Sequence, residues 1–140
     1  MVASWATLGL FGVVSMPGAL GLHAVDTTAA VVSLGLFLVS LPIWVYAFGL
    51  ALVRSARGDD IVVSSWVFLN TSAPADVRRH LLGATAACVV IGLVAAWANA
   101  FGVLVPMLQL GFCALWGARH GVYPARRVTP DPRAVGGRRR

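Results

Sequence analysis

The run Thr28–Val53 reads TAAVVSLGLFLVSLPIWVYAFGLALV and holds no charged side chain over its 26 positions. About 20 apolar residues in a helix cross the hydrocarbon of a bilayer. The run therefore predicts a transmembrane helix, and it decides the class of the chain. Three further apolar runs lie on either side of it. Trp5–Leu22 precedes it and is interrupted by Pro17; Leu81–Ala98 and Phe101–Ala118 follow. The last two are separated only by Asn99 and Ala100, which predicts a tight helical hairpin. The first two are joined by the short segment 23–27, which predicts a second. The expected fold is all-α, an integral membrane bundle of four transmembrane helices in two hairpins over residues 1–121. A basic Pro/Gly/Arg-rich tail, residues 122–140, follows.

Composition agrees. The 140 residues are 59% hydrophobic and 11% charged, with a mean hydropathy of +0.82. A soluble domain of that size could not bury so much apolar surface. All eleven basic residues are Arg and all five acids are Asp, which reads as the codon usage of a GC-rich bacterial genome. The N-terminal MVASWATLGLF lacks the positive region of a signal peptide. Ala19-Leu20-Gly21 mimics a cleavage site, yet the first run reads as a retained helix.

Arginine placement sets the expected orientation. Arg54, Arg57, Arg78 and Arg79 lie between the second and third runs. Arg119, Arg126, Arg127, Arg133 and Arg138–Arg140 follow the fourth. The connections 23–27 and 99–100 carry none. The positive-inside rule then puts both termini and the central loop 54–80 in the cytoplasm of a bacterium, with the chain in its inner membrane. Within that loop Ile61–Leu69, IVVSSWVFL, is too short to span as a helix. It reads as an interfacial segment with Trp66 at headgroup level, a re-entrant turn or a strand being weaker alternatives. NTSAPADVRRH reads as a helix start near Ala73, with Ser72 as N-cap, Pro74 in the first turn and Asp76 at the positive end.

Small residues mark helix contacts in lipid. Ala84, Cys88, Gly92, Ala96 and Ala100 recur at every fourth position of the third run. Gln109, Cys113, Gly117 and Gly121 do so in the fourth. Hairpin geometry sets Cys88 opposite Cys113 and Gly92 opposite Gln109, so the two stripes can face each other. Both cysteines then read as small packing residues, and Gln109 as an interhelical hydrogen-bonding group. VSLPIWVYAF and VLVPMLQLGF are faintly alike at an offset of 64 residues, Pro42 over Pro106 and Phe48 over Phe112. The first and third runs do not share the likeness, which reads as chance.

Chemistry is sparse. No acid lies inside a run, which disfavours a small proton-coupled exporter. No metal-ligand spacing, GxSxG, P-loop or dinucleotide glycine pattern occurs. No catalytic, cofactor-binding or metal residue is expected, and no cofactor. The charge of +6 follows from span-flanking arginines, so nucleic acid is not an expected partner. The same hairpin geometry brings Arg79-His80 level with Arg119-His120. With Arg78, Arg126 and Arg127 they form one candidate contact for anionic lipid headgroups of the cytoplasmic leaflet or an acidic partner surface.

SAPADVRRHLLG followed by WGARHGVYPARR resembles small uncharacterised four-helix integral membrane proteins of actinobacteria. The likeness covers the second half of the chain. It implies source and topology and transfers no functional residue. The expected function is a non-enzymatic accessory or stabilising subunit of a larger inner-membrane complex, a transporter or respiratory assembly. The alternative is a small homo-oligomeric transporter or lipid-handling protein.

Overall fold

The computed structural model of the chain describes residues 2–20, 26–70, 72–97 and 100–126. The link 23–25, Asn99, Arg127 and the rest of the tail lie outside them. Five helices follow in order: α1 Val2–Ala19, α2 Asp26–Ala56, the single turn α3 Val63–Trp66, α4 Ala75–Ala95 and α5 Pro106–His120. A 3₁₀ segment, Ala100–Leu104, leads into α5. Three stretches are long and apolar enough to cross a membrane: Thr27–Ala56, Ala75–Ala95 and Ala100–His120. The apolar stretch of α1, Val2–Pro17, is shorter.

The four long helices close a ring in the order α1–α2–α5–α4, and the most extensive contact is between α2 and α5. Those two run parallel. Trp44 meets Met107 and Gly111 near their upper parts, and Arg54 meets Ala118 lower down. α1 and α4 are also parallel, with Leu8 and Cys88 in one cluster and Gly12 against Ile91. A two-fold axis along the membrane normal would put α1 and α4 on a diagonal of the ring. Here they are neighbours, so the likeness around Pro42 and Pro106 is no internal repeat.

The inward positions follow a seven-residue period. Ser4, Leu8, Phe11 and Ser15 are buried on α1, and Ser33, Ser40 and Ala47 on α2. On α4 the buried line is Leu81, Thr85, Cys88, Gly92 and Ala95. A period of 3.5 keeps residues on the seam of a left-handed bundle, whereas a step of four drifts about 40° each time. The expected α4 stripe therefore holds at Ala84, Cys88 and Gly92, but its last member is Ala95; Ala96 is only half-buried. Outside the seams, large apolar side chains are exposed along every long helix, including Val13, Val45, Leu93 and Met107.

The α4–α5 connection differs from a two-residue turn. α4 ends at Ala95, and Pro106, not Phe101, opens α5. Proline suits the first helical position because that N–H has no partner in any case. The 3₁₀ segment lies close on α4: a Cβ on Gly92 would stand 3.0 Å from the Gly102 carbonyl oxygen. This shifts the hairpin register. Cys113 Sγ lies 3.6 Å from Thr85 Oγ1, so Thr85, not Cys88, is opposite Cys113. Cys88 packs with Leu8, Phe11 and Val105, and both cysteines are free.

The central loop also departs from expectation. Trp66 is not at a headgroup interface; it is buried at 7% exposure. Its indole N–H donates to the Ala114 carbonyl over 2.8 Å, and its ring stands edge-on to Trp44 at 6.1 Å. The re-entrant alternative is closer to this arrangement, because 63–69 folds inward onto α5. Leu69 turns the chain back with φ 54°. A branched residue there costs about 1–2 kcal/mol, offset by a fully buried side chain against Leu81 and Cys113. Ser72 does not cap α4. Its hydroxyl donates to the Ser65 carbonyl, and Pro74 occupies the N-cap position.

Candidate functional site

Three arrangements of polar chemistry lie between the middle of the bundle and the end that carries the arginines. The innermost is Gln109. It lies on α5 one turn below Pro106 and is fully buried. Its amide donates to the Ser4 carbonyl at 2.9 Å and to Thr7 Oγ1 at 3.0 Å, and its carbonyl accepts from the Ser4 hydroxyl. α1 and α5 face each other across the ring, so this side chain ties a diagonal that little backbone contact supports.

The second is a strap around Arg54. Its Nε donates to Asp59 Oδ2 at 2.8 Å and its Nη1 to the Ala118 carbonyl at 3.1 Å. The guanidinium also lies over the Tyr123 ring at 4.9 Å. Residues 58–60 pair with 124–126 through Asp60 N–H to Pro124 O and Arg126 N–H to Gly58 O. The Tyr123 hydroxyl donates to the Gly117 carbonyl at 2.9 Å. Burial pushes the Tyr123 phenol above its ordinary value, against the lowering influence of the nearby Ser72 hydroxyl and the Arg54 charge. Gly117 is required here by space. A Cβ would lie inside contact distance of the Trp66 carbonyl oxygen and 3.2 Å from the Tyr123 hydroxyl. Gly117 therefore receives the α3 loop, not the α4 stripe.

The third is a cleft of about 190 Å³ where α1 begins above the ends of its neighbours. Ala3 and Ser4 of α1 and Leu81 of α4 form one side. Phe112, Leu115 and Trp116 of α5 form the other, with Arg119 and His120 at the rim. The His120 imidazole lies 5.6 Å from the Trp116 ring.

Of the seven basic candidates Arg127 lies outside the described residues, and the other six separate accordingly. Arg78 donates to the Asn70 carbonyl and Arg126 to Ser55 Oγ, so both serve the fold. Arg79, His80, Arg119 and His120 are exposed and have no hydrogen bond or ion pair among the described residues. Arg119 and His120 share the cleft; Arg79 and His80 do not line it, although Leu81 next to them does. Sequence reading missed Ser4 and Thr7 as the partners of Gln109, because nothing local marks which helix crosses the diagonal. It also missed Trp44 and Tyr123, and it gave Ser72 the role of a cap instead of its bond to Ser65. The signal available for Tyr123 was its aromatic ring amid Pro and Arg, three residues past a helix end. No family model matches the chain, and no curated protein or solved structure does either.

Proposed function

We propose that the chain is a four-span protein of the bacterial cytoplasmic membrane with both termini and the arginine-rich end in the cytoplasm. It acts without catalysis, as an accessory subunit of a larger membrane complex. Arginine asymmetry supports the orientation. α1, with 18 residues, rises about 27 Å, close to the roughly 30 Å of bilayer hydrocarbon. It serves as the fourth span.

One observation carries the functional reading. Gln109, Trp44, Trp66, Arg54 and Tyr123 spend their polar atoms on helix-to-helix and loop-to-helix bonds. Arg79, His80, Arg119 and His120 stand exposed at one end. The chemistry left over is a cationic surface, suited to an acidic partner segment or anionic headgroups rather than to bond-making. Affinity purification from native membranes tests it. A stoichiometric partner lost in the Arg79→Gln/Arg119→Gln double variant is expected. A monomer with no partner in mild detergent would refute it. The cleft beside Arg119 favours a second reading, a small lipid-handling protein. Arg119→Ala would then abolish lipid movement in vesicles while leaving assembly intact.

A further inference from the structure

The cleft combines features that point to one ligand chemistry. Its inner wall, Leu81, Phe112, Leu115 and Trp116, is apolar. Its rim carries the Arg119 guanidinium and the His120 ring, neither paired with an acid among the described residues. The Ser4 hydroxyl on the opposite side is already committed to Gln109. A ligand satisfying this site is anionic at one end and hydrocarbon immediately behind it. A free phosphate would leave the apolar wall wet; an acidic peptide would set backbone polar groups against it, at a cost in free energy. At about 190 Å³ the cleft is comparable to the roughly 150 Å³ cavity that holds a benzene-sized guest. It has room for the first methylenes of one chain, not for a whole two-chain lipid.

We propose that the cleft between the start of α1 and the last turns of α5 binds a membrane amphiphile, with its phosphate or carboxylate on Arg119 and its proximal methylenes against Leu115 and Trp116. The site rests on the reading that the chain spans a membrane with its arginine-rich end at the headgroups. There the cleft opens at the depth where a headgroup meets its acyl chain. The guanidinium supplies charge-assisted, bidentate hydrogen bonds to phosphate or carboxylate. His120 adds an N–H donor beside it, and its packing on Trp116 fixes where that donor sits.

The full-length protein is reconstituted in phosphatidylcholine vesicles, and the Trp116 emission is taken as the difference between wild type and Trp116→Phe. Brominated-acyl phosphatidylglycerol, brominated phosphatidylcholine and a brominated fatty acid are titrated separately. Phosphatidylglycerol is expected to quench at about tenfold lower mole fraction than phosphatidylcholine: both carry the phosphate, but the choline ammonium sets a like charge beside Arg119, a repulsion on the order of one charge pair near the surface. Arg119→Gln should bring the two to parity and Arg119→Lys should restore part of the preference. Ala3→Phe, which fills the cleft with Arg119 and His120 intact, should remove the preference as well. Quenching by the fatty acid below the phosphatidylglycerol range assigns the carboxylate as the natural headgroup; the reverse order assigns the phosphate. Equal quenching by both phospholipids in wild type, or a preference unchanged in Arg119→Gln or Ala3→Phe, overturns the proposal. If no brominated lipid quenches any tryptophan, exposed Trp97 included, the chain is not in the bilayer. The membrane reading then fails, and the site with it.

Discussion

Replacing Gln109 probes the diagonal of the bundle. Gln109 makes three hydrogen bonds to α1, two from its amide and one to its carbonyl. Interhelical hydrogen bonds in membranes average about 0.6 kcal/mol and reach about 1.7. Three such bonds give a loss of about 2 kcal/mol in Gln109→Leu, which keeps most of the volume. The Ser4 carbonyl is not orphaned, because the Thr7 hydroxyl also donates to it at 3.0 Å. Gln109→Ala adds a cavity at a fully buried site and should cost about 2–5 kcal/mol, as for other large-to-alanine core changes. The loss should be local. α1 is tied to α5 mainly by this side chain, so hydrogen exchange should rise over residues 4–11 and change little over 44–54. A double-mutant cycle of Gln109→Leu with Ser4→Ala in detergent unfolding isolates the pair. A coupling of about 0.6–1.7 kcal/mol is expected. Additive effects, or equal exchange changes in α1 and α2, would refute the assignment of Gln109 as the diagonal tie.

Other consequences are as direct. Gly117→Ala forces a Cβ into the Trp66 carbonyl and should destabilise by about 1–3 kcal/mol, measured by thermal unfolding in detergent; Gly35→Ala, with nothing within 4 Å, should be neutral or stabilising. Trp66→Ala removes a buried ring and the bond to Ala114, and should cost about 3–5 kcal/mol with new protease cleavage between 57 and 74. Tyr123 is held neutral by burial, above its ordinary 10.0. Its raised folded-state value means that its contribution is complete below pH 10 and is lost as pH rises through the folded value. Alkaline titration should therefore release the 122–126 strap, and Tyr123→Phe should remove that transition.

The helices were legible in the sequence because length and missing charge dictate them; α2 needs no partner to be recognised. The ring order was not legible. Parallel α2 and α5 depend on Trp44 reaching Met107 and on the small residues Gly111, Ala114 and Ala118, which are adjacent only after folding. The α4 stripe was half visible, since Cys88 and Gly92 fit a step of four and a step of 3.5 equally; Ala95 against Ala96 decides between them. Trp66 was misread because interfacial tryptophans and buried ones look alike in sequence. What separates them is the Ala114 carbonyl, 48 positions away. Gln109 was identified as an interhelical bond, but Ser4 and Thr7 carry no mark of being its partners. At the basic surface, charge was legible and pairing was not. Arg78 and Arg126 are spent on Asn70 and Ser55, while Arg119 lies beside a cleft that no spacing announces.

The proposal of four spans turns on α1, whose apolar stretch, Val2–Pro17, is shorter than the other three. Single cysteines at Leu20, Arg57, Trp97 and Val122, in intact cells treated with a membrane-impermeant maleimide, test it most directly; native Cys88 and Cys113 are buried. Leu20→Cys and Trp97→Cys should label from outside, and Arg57→Cys and Val122→Cys only after permeabilisation. Labelling of Leu20→Cys on the same side as Arg57→Cys would show that α1 does not cross, and would contradict the four-span account.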